Sequence, residues 1–299
     1  MNTSMGMLML ALVTGSLAAA PAPITLPLWP ATPPGDTEAL GEERDTTNEK
    51  SGMVAGRRVM RLAPVARPTL TFYPAPAERN TRATVLICPG GAYHILAWDL
   101  EGTEVAEWLN SVGINAVLLK YRVPIRKNRE RWEAPLEDAQ RAMGLVRARA
   151  REWNLDPQRL GVLGFSAGGH LCAVLSTRHA SRHYAPVDEA DKESCRPDFA
   201  VLVYPAYLTV GKDNDAIAPE LTLSSNTPPT FLVQTQDDAV RVENSVYYYL
   251  ALKKAGVAAE LHIYPRGGHG YGLRPTDNPV THWPRRVEEW LRAGGWLKP

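Results

Sequence analysis

From Pro68 onward, short apolar runs alternate with longer amphipathic ones. PTLTFYPAP (68–76) alternates apolar and polar positions, as a half-buried strand does. TVLICPGG (84–91) opens on a continuous apolar run that ends in glycines. INAVLLKYRV (114–123), RLGVLGFS (159–166), DFAVLVYPAYL (198–208), PTFLVQTQ (229–236) and AELHIYP (259–265) follow, each rich in Val, Leu or Ile. Runs of this kind predict strands buried on both faces, as in a parallel sheet.

Helical periodicity fills the intervals. In PLEDAQRAMGLVRARAREWNL (135–155), Leu136, Ala139, Met143, Val146, Ala150 and Trp153 recur at three- and four-residue steps, and Pro135 suits a first helical turn. EGTEVAEWLNSVG (101–113) and VENSVYYYLALKKAG (242–256) each close near a glycine, and WPRRVEEWLRAGGW (283–296) is a last amphipathic run. Strands alternating with helices predict an α/β fold: one doubly wound, mostly parallel sheet with helices on both faces. The expected organisation is a single domain over 68–299, preceded by an extended lead-in over 21–67 rich in Pro, Gly and charge that is not expected to form core.

The first residues read as an address. An apolar stretch from Met7 to Leu17 is followed by Ala18, Ala19 and Ala20, which predicts a cleaved secretory signal over 1–20, although no Lys or Arg precedes it. A non-cleaved anchor is the alternative, but the stretch is short for a bilayer span. A secreted or periplasmic location follows from the first reading, with no stable membrane insertion.

Composition narrows the chemistry. A formal net charge of +1 without basic blocks points away from nucleic acid. Three cysteines, Cys88, Cys172 and Cys195, lack metal-ligand spacing, so no metal and no cofactor is expected. Cys88 and Cys172 lie in apolar runs and Cys195 in the polar stretch DKESCRPD; an odd count leaves at least one thiol free.

The sharpest local signal is GVLGFSAGGHLCAV (161–174), where Gly164, Ser166 and Gly168 form G-x-S-x-G. The pattern alone is unspecific. Its setting, an apolar strand before the serine and a helix-forming run after it, is what a nucleophile elbow requires. A serine hydroxyl needs a neighbouring base. Of the seven histidines, His269 sits in YPRGGHGYG, a glycine-flanked loop just after the last apolar strand, whereas His170 reads as a residue on the face of the new helix. The orienting carboxylate should follow a strand lying between the serine and the histidine. PTFLVQTQDDAV supplies Asp238, the preferred candidate, with Asp237 the alternative and a turn or helix cap for whichever is left. The backbone N–H of Ala167, with Gly90 and Gly91 in CPGGAYH, would supply an oxyanion hole.

With these residues in hand, the chain resembles α/β-hydrolase esterases, specifically bacterial carbohydrate esterases of the acetyl xylan esterase type, relatives of the hormone-sensitive-lipase group. The likeness runs from LWP (28–30) onward and is carried by CPGGAYHILAWDLEG, LLKYRVP, LGFSAGGHL, VYPAYL, DDAVRVENS and YPRGGHGYGL. It implies the α/β-hydrolase fold, a Ser166–His269–Asp238 triad, the oxyanion donors above, and an acetylated polysaccharide or oligosaccharide as substrate. Two departures stand out: Ala92 where relatives often carry a third glycine, and Pro89 where lipase-type loops carry histidine. With 4 Phe against 8 Trp and 11 Tyr, the loop aromatics Tyr93, Trp98, Tyr121 and Tyr271 suit either sugar faces or loop packing, and Tyr93, Trp98 and Tyr271 are the three expected near the substrate. A generic short-chain carboxylesterase is the nearer rival reading and a prolyl-oligopeptidase-type serine peptidase the more distant one. A non-catalytic binding module on the same fold would predict a broken triad. The oligomeric state is not legible in the chain.

Overall fold

The structure, a computed structural model, describes residues 22–211 and 216–297; the expected leader over 1–20 lies outside them. In chain order the strands are β1 (Ile24–Pro27), β2 (Arg44–Asp45), β3 (Arg61–Ala63), β4 (Thr69–Tyr73), β5 (Thr84–Cys88), β6 (Leu96–Ala97), β7 (Asn115–Lys120), β8 (Leu160–Phe165), β9 (Ala200–Val203), β10 (Thr230–Thr235) and β11 (Ala259–Tyr264). The α-helices are α1 (Glu104–Ser111), α2 (Glu133–Ala148), α3 (Ala167–Thr177), α4 (Glu243–Lys254) and α5 (Trp283–Ala293).

The main sheet has the order β1-β4-β7-β5-β8-β9-β10-β11. From β7 to β11 every pairing is parallel; β1 and β4 add an antiparallel edge. Successive strand residues feed opposite faces. On β5, Leu86 and Cys88 join the core under α2, α3 and α4, while Val85 and Ile87 join the one under α1 and α5. The chain leaves β5 toward β7 on one side and leaves β8 toward β9 on the other. The crevice at the carboxyl ends of β5 and β8 is therefore the topological switch point, where α/β sheets hold their ligands.

Two of the expected helices have different bounds in the structure. The expected helix over 135–155 begins at Glu133 and ends at Ala148. Beyond it Asn154 is left-handed at φ 53°, yet Trp153 still stacks on Phe72 with centroids 4.4 Å apart. The apolar period thus outlives the helix because the side chains stay on the core after the backbone has turned. The expected helix over 101–113 starts only at Glu104, after one π-helical turn, Asp99–Thr103. Cys195 is buried, 4 % exposed, and all three thiols are free.

The lead-in also forms core, against expectation. Leu28, Trp29, Val59 and Val65 are buried, β1 extends the main sheet, and β2 and β3 join β6 in a small antiparallel sheet. An extended segment has few partners for its own carbonyls, and buried guanidiniums supply them. Arg122 donates to Pro34 O at 2.9 Å, Arg141 to Leu28 O at 3.0 Å, and Arg274 to Arg57 O and Arg58 O at 3.0 Å each. Arg122 is balanced by Asp138, whose carboxylate accepts from Arg122 Nε at 3.0 Å and from Trp29 Nε1 at 2.8 Å.

Asp138→Ala removes the carboxylate that holds Arg122 Nε and the acceptor of Trp29 Nε1, leaving the buried guanidinium to Glu137 alone. The expected loss is about 3–5 kcal/mol of unfolding free energy in a urea titration. A loss below about 1 kcal/mol, the level of an exposed pair, would mean that the cluster does not anchor the lead-in.

Candidate active site

The serine is presented by a turn that only small neighbours allow. Ser166, between β8 and α3, has φ 51° and ψ −118°, a conformation a side-chain-bearing residue rarely adopts. A Cβ on Gly168 would collide with the carbonyls of Cys88 and Pro89, and one on Gly164 would strike the Gly168 carbonyl. The two flanking glycines thus let the first turn of α3 sit against the end of β5. The turn is pinned by Ser166 N–H to Val203 O at 3.0 Å and by Ala206 N–H to Ser166 O at 3.1 Å.

His269 Nε2 lies 2.9 Å from Ser166 Oγ, and His269 Nδ1 lies 2.9 Å from Asp238 Oδ2. A carboxylate can only accept, so Nδ1–H donates to Asp238 and Nε2 is left to accept the serine proton. The Asp238 side chain is fully buried, and that of His269 is 28 % exposed. Asp238 is itself held, accepting Val240 N–H at 2.7 Å and Gln234 Nε2 at 3.3 Å.

Asp237 has a different task. Its carboxylate accepts Gly268 N–H at 2.8 Å and Gly267 N–H at 3.3 Å, bonds that hold its acid group below the usual carboxylate range, Gly268 foremost. It anchors the histidine loop from the exposed side. Thr235 Oγ1 to Gly268 O at 2.9 Å and Trp283 Nε1 to Gly272 O at 2.8 Å fix that loop from within.

The loop after β5 departs from the expectation in one donor. Gly90 lies against the serine, since a Cβ there would come within 2.9 Å of Ser166 Cβ. Its N–H, however, donates to Glu101 Oε2 at 2.7 Å and is not free for an oxyanion. Among the described residues, the N–H groups of Gly91 and Ala92 donate to no protein acceptor. Ala167, as the first residue of α3, has no intrahelical acceptor for its N–H. Gly91, Ala92 and Tyr93 are consecutive positive-φ residues at 133°, 55° and 62°. A third glycine would sit in this loop without strain, whereas Ala92 carries a left-handed cost of about 1–2 kcal/mol.

Two clefts meet at Ser166 and His269. One, of about 460 Å³, is walled by Tyr207, Thr209, Val240, Arg241 and Asn244. The other, of about 360 Å³, has an apolar wall of Val54, Val59, Ile95, Ala97 and Leu100, with Arg61 beside it. None of the three expected substrate aromatics lines either cleft. Tyr93 is 1 % exposed and its hydroxyl is spent on His170 Nδ1 at 2.8 Å; Tyr271 is buried edge-on against Tyr204; Trp98 packs between the two cores. They serve as packing because the loops that carry them fold inward. The aromatic that does line a cleft is Tyr207, and no pattern in the sequence distinguished it. His170, expected on a helix face, is wholly buried between Tyr93 and Glu220, and burial holds it below its ordinary pKa against the pull of Glu220.

These contacts predict different costs for the two aspartates. In Asp238→Asn the amide can no longer fix the imidazole, and labelling of Ser166 by a fluorophosphonate should slow about 10³–10⁴-fold. Asp237→Asn keeps an acceptor for Gly268 N–H and should lose less than about tenfold, the worth of one hydrogen bond. The opposite ranking would transfer the orienting role to Asp237.

Comparison with known proteins bears on the same geometry. Residues 70–203 match the family described as BD-FAE. The chain is 31 % identical over 247 residues to an acetylxylan esterase of Xylanibacter ruminicola, covering 75 % of this chain and 46 % of that protein. It is 34 % identical over 212 residues to endo-1,4-beta-xylanase B of Butyrivibrio fibrisolvens, covering 63 % of this chain and 32 % of that one. It thus spans less than half the length of these two curated relatives. Among solved structures, an acetyl ester-xyloside bifunctional hydrolase from Caldicellulosiruptor lactoaceticus superposes with a TM-score of 0.73 at 34 % identity, over 94 % of this chain and 100 % of that one. Fold, parallel sheet and structural likeness agree: the chain belongs to the α/β-hydrolase superfamily and is similar to esterases within it.

Proposed function

We propose that this chain is a serine esterase that removes short acyl groups, acetyl above all, from an acetylated carbohydrate such as acetylated xylan. The observation that carries the reading is His269 bridging Ser166 Oγ and Asp238 Oδ2 at 2.9 Å on each side. Ser166 Oγ attacks the ester carbonyl as His269 Nε2 takes its proton, and Asp238 stabilises the imidazolium. The N–H groups of Ala167 and Gly91 receive the developing oxyanion, at the N-terminus of α3 where the helix dipole favours negative charge. His269 then returns the proton to the departing sugar oxygen, and water repeats the sequence on the acyl-enzyme.

The relatives named for acetylxylan and for acetyl ester-xyloside hydrolysis support the sugar ester as substrate. The leader expected over 1–20 supports action outside the cytoplasm, on a polymer that cannot enter it. The Tyr207, Thr209 and Asn244 wall offers hydroxyl and amide groups to the alcohol side. A second reading, the generic short-chain carboxylesterase, is favoured by the apolar wall of the other cleft, which has room for more than an acetyl group.

Ser166→Ala should keep the fold and lower hydrolysis of p-nitrophenyl acetate by at least about 10³-fold, leaving only binding and the oxyanion donors. A folded variant retaining a tenth of the turnover would remove Ser166 as nucleophile. Between the two readings the acyl series decides. Each methylene seated on an apolar wall can contribute about 0.8 kcal/mol. The carbohydrate esterase is expected to cleave the acetate much faster than the octanoate and to free acetate from acetylated xylo-oligosaccharides. A rate rising to the octanoate, with no acetate freed from any acetylated polysaccharide, would establish the carboxylesterase instead.

A further inference from the structure

Glu101 is a buried carboxylate that the acyl-transfer steps do not use. It is 4 % exposed and borders the cleft that holds Ser166 and His269. Its two oxygens serve different loops. Oε2 accepts Gly90 N–H at 2.7 Å, one residue before the free N–H of Gly91. Oε1 accepts the Tyr204 hydroxyl at 2.8 Å. Tyr204 Oη in turn accepts Gly272 N–H at 3.2 Å, at the far end of the histidine loop, and the Tyr204 ring stands edge-on to the His269 imidazole with centroids 4.8 Å apart.

The donors fix the direction of every bond. Gly90 and Gly272 amides can only donate, and a Tyr204 oxygen that accepts from Gly272 has its own proton for Glu101. All three bonds are satisfied together when Glu101 accepts at both oxygens, as a carboxylate does. Burial raises its acid group above the ordinary range, while the Tyr204 and Gly90 hydrogen bonds and the nearby His269 oppose that rise. A charge kept this far from water is costly unless its hydrogen bonds are met. A side chain needed only to fill the space could be apolar.

We propose that Glu101 is a positioning residue, a single carboxylate that locks the oxyanion-side loop and the histidine loop to each other so that donors and base converge on the same serine. This rests on the acyl-transfer reading of Ser166. The π-helical turn at Asp99–Thr103 is the local device that carries the side chain. The turn is one residue wider than α, with Thr103 N–H bonding Trp98 O at 3.1 Å. It lies directly before α1, so the helix anchors the carboxylate between the two loops.

The test uses Glu101→Ala, Glu101→Gln, Tyr204→Phe and the doubles of Tyr204→Phe with each Glu101 variant. Three readouts are taken: thermal melting, the rate of Ser166 phosphonylation by a p-nitrophenyl phosphonate, and kcat and KM for p-nitrophenyl acetate. Misplacing reacting groups by about 1 Å can cost about 100-fold. Glu101→Ala is therefore expected to slow phosphonylation and kcat about 30–300-fold with KM within about threefold. Glu101→Gln, which keeps an acceptor for Gly90, should fall between it and the wild type. Because Tyr204→Phe cuts the same link, each double variant should lie within about twofold of its Glu101 single, where independent sites would multiply. Folded Glu101 variants reacting at the wild-type rate would overturn the proposal, as would losses that multiply in the doubles. Should Glu101→Ala fail to fold, the Gln series decides on the same criteria. A wild-type protein inert to phosphonate and ester would instead bring down the acyl-transfer reading, and this inference with it.

Discussion

The carbonyl end of β5 and the first turn of α3 must approach more closely than any side chain on Gly168 would allow, and the rest of the site follows from that approach. It forces Ser166 into its left-handed turn, aims the N-terminus of α3 at the crevice and brings Gly90 against the serine. The same close packing buries Cys88 and Cys172 beneath the elbow, which makes them inert filling instead of chemistry. Strain in the Ser166 turn and in Gly91–Tyr93 is stored where these two segments face each other. The strands that carry them are neighbours paired in parallel from Thr84 to Cys88 on one and Leu160 to Gly164 on the other. A twisted sheet buried on both faces resists the shear that would relax them.

Buried charge does the remaining positioning, and it does so against its own solvation cost. Arg122, Arg141 and Arg274 are each nearly inaccessible and each donate to carbonyls of the lead-in while pairing with carboxylates. Leucines in their place would fill the volume but leave those carbonyls without partners, a penalty of about 1–3 kcal/mol for each group. Planar guanidiniums with several donors meet this need where a lysine would reach one acceptor at a time. The lead-in is therefore integral to the fold although it has almost no regular structure.

What the sequence made legible follows from the same distinction. Ser166, Asp238 and His269 could be read because each follows the end of a strand that its apolar residues mark, and parallel strands deliver their ends to one edge. The structure brings those three together. Asp237 and Asp238 share that signal, and only the path of the turn separates them: Asp238 points inward to Gln234 and His269, Asp237 outward to Gly267 and Gly268. Glu101, Tyr204 and Gln234 had no such signal, since nothing periodic marks a side chain that supports another, whether its partner is near in the chain, as for Gln234 and Asp238, or far, as for Glu101 and Tyr204. β2, β3 and β6 span two or three residues each, too short for any alternation to register. The misjudged aromatics fail for a related reason. Polar-edged rings suit a wet cleft and a dry core with one hydrogen bond equally well, and Tyr93 takes the second course.

The two walls of the crevice have separate structural origins, and this separates chemistry from selectivity. Ser166, Asp238 and His269 come from the ends of the parallel strands, as does the Tyr207 side of the crevice after β9. The apolar wall instead takes Val54 and Val59 from the lead-in, next to Ile95, Ala97 and Leu100. Arg274 clamps that lead-in segment, bonding the carbonyls of Arg57 and Arg58 and the carboxylates of Asp99 and Glu104, and it stands two residues beyond Gly272 at the end of the histidine loop. Changes in the length or bulk of the lead-in can therefore reshape what fits beside the serine while the triad stays on its scaffold. The π-helical turn lies at the meeting point, with Asp99 holding Arg274 and Met60 on the wall side and Glu101 holding Gly90 and Tyr204 on the catalytic side. The apolar wall and the Gly90 loop are thus held by one short turn, through two carboxylates two residues apart.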